Sequence, residues 1–337
     1  MSDPQSSALS FSDEHYELFF ELATQGGNLD DLRACLARIH PNHAGYGLDA
    51  PRATALHIAA RSGRPELVEM VLPLTDPSAQ DINGETALHA AANQGSAQCA
   101  RLLATACGVN AKDNNGSTAL VVALSEGHEE CARFLASVSD LDTQDKHGFT
   151  ALMVAAADNK LANCIDFLAP GSTLSFETED GLTALLFAAH GIQEDCVRAL
   201  IPHCKPADFR AQMKREHYTA LMCAVEWNRP ELVELLAPRS DLSQKSEGGL
   251  TPLEMAVNRV VAFSRPEHWE TLDALAPFLS EEEFHGVYLR QIDLAQHRAR
   301  APRAAARLEA HELSHAIQVS EDSAMGATFA RRAPRSL

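Results

Sequence analysis

The residues best placed to do chemistry are His311, Glu312 and His315, in the segment His311-Glu312-Leu313-Ser314-His315. The pattern is H-E-x-x-H. On a helix, two histidines one turn apart can hold zinc while the glutamate between them activates water for hydrolysis. The segment falls on an amphipathic helix after Pro302, with Ala306, Ala310, Leu313 and Ile317 as its apolar stripe. The histidines are expected to project from the opposite side, toward solvent unless another element covers them. A catalytic zinc also needs a third protein ligand. Residues 316–337 offer no GxxH extension, and Glu321 is the nearest downstream carboxylate. No metal or other cofactor is therefore expected, and a zinc-dependent hydrolase built on His311, Glu312 and His315 stands as the alternative chemistry.

Eight cysteines are the next candidates for metal or disulfide chemistry. Cys99, Cys131, Cys164 and Cys196 recur at one place in successive segments, and Cys107 and Cys204 at another. Equivalent positions on stacked helices lie roughly 8–10 Å apart, whereas a disulfide needs Cα atoms within about 7 Å. These thiols read as small buried apolar residues of a reduced compartment. His203-Cys204 and His217 with Cys223 lack the paired CxxC spacing of a zinc ribbon or finger. The chain also has no phosphate-binding G-x-x-x-x-G-K-[ST] loop, no G-x-G-x-x-G after a strand, no G-x-S-x-G elbow and no kinase motif set.

What the sequence does carry is repetition. TALHIAARSG begins at Thr54 and TALHAAANQG at Thr86. Related segments begin at Thr118, Thr150, Thr183, Thr219 and Thr251, with spacings of 32, 32, 32, 33, 36 and 32. Each copy reads as a β-turn, a short helix opened by the threonine, a break, and a second helix. Gly84, Gly116, Gly148, Gly181 and Gly249 stand two residues before the threonine, where a tight turn demands positive φ. The threonine hydroxyl is placed to cap the first helix. Ala59-Ala60, Ala91-Ala92, Ala155-Ala156 and Ala188-Ala189 allow close helix approach. Leu102-Leu103, Phe134-Leu135, Phe167-Leu168 and Leu235-Leu236 are expected to fill the space between repeats. No unit buries its apolar face alone, so stability must come from stacking.

The period near 33, the turn, the T-P-L-H-x-A-like opening and the two helices resemble the ankyrin repeat over roughly residues 50 to 280. The resemblance implies an all-α fold: an ankyrin-repeat solenoid of helix-turn-helix units with β-turn tips and a helical C-terminal cap. A solenoid grows along one axis, so 337 residues need not mean two compact domains. The organisation expected is a disordered N-terminus over 1–12, a divergent capping repeat and linker over 13–53, and seven repeats over 54–280. A helical cap over 281–318 and a flexible tail over 319–337 complete it. No run approaches the roughly 18 apolar residues of a membrane span, and MSDPQSSALS lacks a signal-peptide core. A cytoplasmic chain is expected.

In ankyrin repeats, partners contact the turn tips, the residue before the threonine and the end of the first helix. Carried onto this sequence, that gives Asn114, Asn115, Lys146, His147 and Arg215 at tips, and Phe149, Leu182 and Tyr218 before threonines. Trp227 closes a first helix. The apolar and aromatic members have the composition of a binding hot spot; the plainer reading is that they pack against the next turn. The family's turn-bracing histidine survives only as His57 and His89, being replaced by Val121, Met153, Leu186, Met222 and Glu254, so less rigid later turns are expected.

Net charge is −18, while residues 285–337 hold eight Arg against five Asp or Glu, leaving −21 on residues 1–284. Such a body repels nucleic-acid phosphate and anionic membrane. The expected partner is a protein, with a basic segment, met by a monomer. The basic C-terminal tail could itself visit the acidic groove. The LLA and LAP endings, the second-helix cysteine and TALM in place of TPLH are similar to the ankyrin proteins of diplomonad protists, implying a cytoplasmic or cytoskeleton-associated scaffold. The expected function is a non-catalytic protein–protein interaction scaffold, with a passive structural spacer as a further alternative.

Overall fold

The computed structural model describes residues 15–39, 53–263 and 265–280, together with Pro302, Arg303 and Ala306. The expected disordered start, most of the linker, the helical cap, the tail and the His311-Glu312-Leu313-Ser314-His315 segment lie outside the described residues, apart from those last three. Among the described residues the structure is helical and contains no strand.

Two compact units divide the chain at Cys204 and Lys205. In the first, α1 (15–24) and α2 (Leu29–Leu36) form an N-terminal hairpin. Five further hairpins follow. The first helices are α3 (Ala55–Arg61), α5 (Ala87–Gln94), α7 (Ala119–Ser125), α9 (Ala151–Ala156) and α11 (Ala184–His190). Their partners are α4 (Pro65–Val71), α6 (Ala97–Leu103), α8 (Glu129–Ala136), α10 (Ala162–Leu168) and α12 (Glu194–Leu200). First helices pack on first helices and second on second along the row. The second unit repeats the plan with α13 (Ala220–Glu226), α14 (Pro230–Leu236), α15 (Pro252–Phe263) and α16 (Pro266–Leu275).

The first helices are short because each is bounded chemically. Thr150, Thr183, Thr219 and Thr251 accept at Oγ1 from the N–H three residues on, each at 3.3 Å, satisfying one orphan donor of the helix start. At the other end Gly95, at φ 77°, closes α5 in the left-handed conformation that lets the chain turn into α6. The longer α15 opens with Pro at its first position and a reciprocal cap, the Thr251 N–H donating to Glu254 Oε2 at 2.8 Å.

Alanines on the first helices are fully buried, among them Ala59, Ala60, Ala91, Ala155 and Ala188. Absence of bulk there lets adjacent repeats approach closely. Each paired bulky residue on the second helices splits its role, contrary to the expectation that both fill the core. Leu103, Leu135, Leu168 and Leu236 are wholly buried, while Leu102, Phe134, Phe167 and Leu235 are only half-buried. The reason is helical geometry: adjacent residues point about 100° apart and cannot share one buried face. Phe134 and Phe167 instead carry the guanidinium groups of Arg101 and Arg133, 5.5 and 4.5 Å above their rings.

The N-terminal hairpin buries Tyr16, Phe19, Leu32 and Leu36. It is tied down by the Tyr16 hydroxyl donating to the Ala53 carbonyl, and by Arg64 Nη1 donating to the Gly27 carbonyl at 2.8 Å.

Candidate interaction surface

The turns preceding α5, α7, α9, α11 and α15 are each built around one side chain. Asp81 Oδ1 accepts from the N–H groups of Asn83 and Glu85 at 2.8 and 3.0 Å. Asp113 does the same for Asn115 and Ser117, both at 2.8 Å, and Asp145 for His147 and Phe149, both at 2.8 Å. Thr178 and Ser246 substitute hydroxyls, taking the N–H of Leu182 at 3.2 Å and of Leu250 at 3.3 Å. The glycine then supplies positive φ, as expected: 74° at Gly84 and 83° at Gly116. In the lengthened copy the turn runs from Met213 to Tyr218, and His217 itself adopts φ 54°.

Within the first unit the tips form a ladder. The Asn114 N–H donates to the Asn83 carbonyl at 2.8 Å, Lys146 to Asn115 at 3.1 Å and Glu179 to His147 at 3.4 Å. Gln80 Nε2 bridges the Gly84 and Lys112 carbonyls at 2.7 and 3.1 Å, and Gln144 bridges Gly148 and Glu177 at 2.8 and 3.2 Å. In the second unit Glu247 donates to the Glu216 carbonyl at 2.8 Å, and Gln212 bridges His217 and Lys245 at 2.8 and 3.1 Å. The backbone of these turns is thus satisfied by the neighbouring turn, and the tip side chains stand on a fixed frame.

Asn114, Asn115, Lys146 and His147 are all exposed in the first unit. Asn114 differs from the others, because its Nδ2 donates to the Ile82 carbonyl at 2.9 Å and so belongs to the ladder. Phe149 and Leu182 are half-buried, with Phe149 packed edge-to-face on Phe187 at 5.3 Å between centroids. Phe187 lies inside α11, away from the tip register, and nothing in its repeat singles it out.

In the second unit Arg215 is exposed, Tyr218 is half-buried and Trp227 is 48% exposed at the end of α13. The Tyr218 hydroxyl lies 3.5 Å from Glu226 Oε2, and Glu226 is ion-paired through Oε1 with Arg259 of α15. Burial and the adjacent Glu226 carboxylate push the Tyr218 hydroxyl above its ordinary pKa. Tyr218, Glu226 and Arg259 border an open concavity of about 290 Å³, which Arg215 and Trp227 do not line. Glu226 and Arg259, 33 residues apart, are out of reach when one repeat is read at a time.

The eight cysteines are all free thiols, seven buried and Cys204 partly so. Burial pushes Cys131 and Cys164 up to about 11 and Cys196 and Cys223 to about 12, far from the thiolate needed for nucleophilic or metal chemistry. Among the described residues no group of His, Cys, Asp and Glu is arranged to hold a metal ion, and no helix is long and apolar enough to cross a membrane.

Stacked helical hairpins with a repeated scaffold and variable exposed tips define a repeat-built protein whose individuality lies in its surface. The chain belongs to the ankyrin-repeat family: the family described as Ankyrin repeats (3 copies) matches residues 19–113, 56–146, 106–174 and 152–246, together more than half of the sequence. The first match opens within α1, so the divergent hairpin is included, while α15 and α16 lie beyond the last. Among solved structures the chain is similar to the ankyrin repeat domain of Bcl-3, described as a unique member of the IkappaB protein family. Identity is 26% and the TM-score 0.54, over 60% of this chain and 93% of that one. No curated protein matches the sequence.

Proposed function

We propose that this chain is a non-catalytic interaction scaffold that holds a protein partner on its turn tips and first-helix ends. The observation carrying the reading is the ladder: Lys146, His147 and Asn115 project from turns whose backbone is already bonded to its neighbours. A backbone already fixed in this way has little freedom left to lose on binding, which favours affinity. The residues assigned to contact are Asn115, Lys146, His147, Phe149 and Leu182 in the first unit and Arg215, Tyr218 and Trp227 in the second, while Asn114 is bonded into the ladder of the first unit.

The net charge of −18 favours a partner with a basic segment over nucleic acid or anionic membrane. The family resemblance and the reduced thiols fit a cytoplasmic monomer. Membership in the diplomonad ankyrin group draws no support from the relatives found, and neither it nor a cytoskeletal location is part of the proposal. Hydrolysis through His311, Glu312 and His315 is likewise set aside.

The test is affinity capture from a cytosolic extract by the immobilised full chain, by Lys146→Ala/His147→Ala and by Tyr218→Ala/Trp227→Ala, all matched for helicity by circular dichroism. A protein retained by the natural chain and lost from either variant supports the scaffold. Identical retention by all three overturns the site assignment, and no retention by any leaves a passive spacer as the better account.

A further inference from the structure

The concavity of the second unit has a chemistry that names its ligand. Its rim holds Glu216 and Glu247, exposed on adjacent tips that are locked together by the Glu247 N–H donating to the Glu216 carbonyl at 2.8 Å. Its wall is Tyr218 and the Glu226–Arg259 pair, and its floor includes buried Met255. Glu226 is committed twice, to Arg259 through Oε1 and to the Tyr218 hydroxyl through Oε2. That fixes Arg259 and the phenol ring in place and leaves two rim carboxylates as the outward-facing charge. Three carboxylates against one guanidinium make the concavity net negative. An apolar floor beneath a negative rim, in about 290 Å³, suits an aliphatic stem ending in a cation.

We infer that this concavity receives a Lys or Arg side chain from an extended basic segment of a partner protein. The stem lies along Tyr218 and Met255, and the cation sits between the Glu216 and Glu247 carboxylates. A flat acidic surface would attract any cation and hold none in particular. Here the apolar floor and the Tyr218 ring select a long side chain over a small ion, and the rim selects its charge. This rests on the scaffold reading above and specifies one site within it.

A random short-peptide library displayed on phage and selected against the full chain supplies the probe, because selection itself finds the preferred segment. Selected peptides are expected to be rich in Arg or Lys. Their affinity, read by fluorescence polarisation, should fall about five- to tenfold in Glu216→Gln/Glu247→Gln, and comparably when citrulline replaces arginine. Both glutamates are exposed, so the variant should fold as the natural chain does; circular dichroism checks this, and Glu69→Gln, exposed on α4 of the first unit, controls for the loss of a surface carboxylate. Peptides without basic enrichment, or undiminished binding to the double variant, overturn the assignment. Competition by a synthetic peptide of residues 319–337 would give the concavity to the chain's own C-terminus and overturn the partner assignment. If the extract capture still succeeds while this test fails, the scaffold stands without this site; if both fail, the scaffold falls too.

Discussion

The imidazole of His57 ties one repeat to the next: its Nε2–H donates to the Glu85 carbonyl, 28 residues away, at 2.9 Å. Its Nδ1 accepts from the Thr54 N–H at 3.2 Å and lies 2.8 Å from the Thr54 hydroxyl. His89 makes the same three contacts, to Thr86 at 3.1 and 2.9 Å and to the Ser117 carbonyl at 3.1 Å. The ring must be neutral for Nδ1 to accept, and protonation breaks the arrangement.

Stability should therefore fall as pH drops below the ordinary histidine range. Desolvation lowers both histidines in the folded state, more than the Glu85 and Ser117 carbonyls and the nearby Asp81 and Asp113 raise them. Below about pH 6.5 the unfolded chain takes up protons that the folded chain refuses. The loss is at most about 1.4 kcal/mol per pH unit for each histidine, and it stops once the folded-state pKa is passed. Glu85 works in the opposite direction: burial raises its carboxyl, so protonation favours the folded state at lower pH. Urea midpoints should decline as the pH is lowered through about 6.5 and flatten once the lowered folded-state pKa values are passed. A His57→Gln/His89→Gln chain should lose the decline, and a slope unchanged in that variant would refute the assignment.

Glycine substitutions at the tips should separate backbone strain from ladder contact. A Cβ on Gly116 would stand 2.8 Å from the Lys146 backbone nitrogen, whereas one on Gly249 meets nothing within 4 Å. Both glycines have positive φ, 83° and 74°, so alanine costs roughly 1–2 kcal/mol at either from conformation alone. Gly116→Ala should cost more, because the next turn must also shift and the Lys146 to Asn115 bond stretches. Thermal unfolding of the two variants decides it; equal losses would mean the ladder yields without cost.

The thiols should react in an order set by burial. Cys204 is only partly covered, whereas Cys131, Cys164, Cys196 and Cys223 are buried with pKa values raised to about 11 or 12. Iodoacetamide at pH 8 should label Cys204 first and the others only as the stack opens. Peptide mass analysis after brief labelling checks this, and early modification of Cys131 or Cys196 would contradict the packing.

Much of this fold is legible because one constraint is written many times. The threonine marks the first helix, the glycine two places earlier marks the turn, and buried alanines mark the helix stack. Each can be read within one repeat. Contacts between repeats are harder. Phe149 sits in the tip register and is visible as a candidate, but its partner Phe187 is one residue among several on α11. Arg259 cannot be matched to Glu226 until helix packing places them together. The bulky pairs mislead because sequence supplies the residue type and not its angle, so Phe134 and Phe167 read as core although they support arginines. Replacement of the bracing histidine leaves the caps of α9, α11, α13 and α15 in place. The later threonines still cap their helices through hydroxyl bonds at 3.3 Å, and Glu254 restores a reciprocal cap. The apolar replacements cannot reproduce the imidazole bond to the next turn.

That lost bond can be restored by design. Val121 occupies the histidine position of its repeat, is 8% exposed, and follows Thr118, whose side chain makes no cap hydrogen bond. In the two preceding copies the acceptor lies 28 residues on, which places Phe149 opposite Val121. Its carbonyl already accepts from the Asp145 N–H, as the Glu85 carbonyl does from Asp81 while also serving His57. A second lone pair is therefore geometrically usable. Val121→His should gain a Thr118 contact and a bond to the Phe149 carbonyl, each contributing about 0.5–1.5 kcal/mol, against the loss of a buried valine contributing roughly 1.5–2 kcal/mol. The net change should be small at pH 7.5 and turn destabilising below about pH 6.5, where the unfolded chain's imidazole takes up a proton that the bonded ring refuses. Urea melts at both values settle it. A variant equally stable at the two pH values would show that the new ring points to solvent and that the histidine bond depends on more than its position in the repeat.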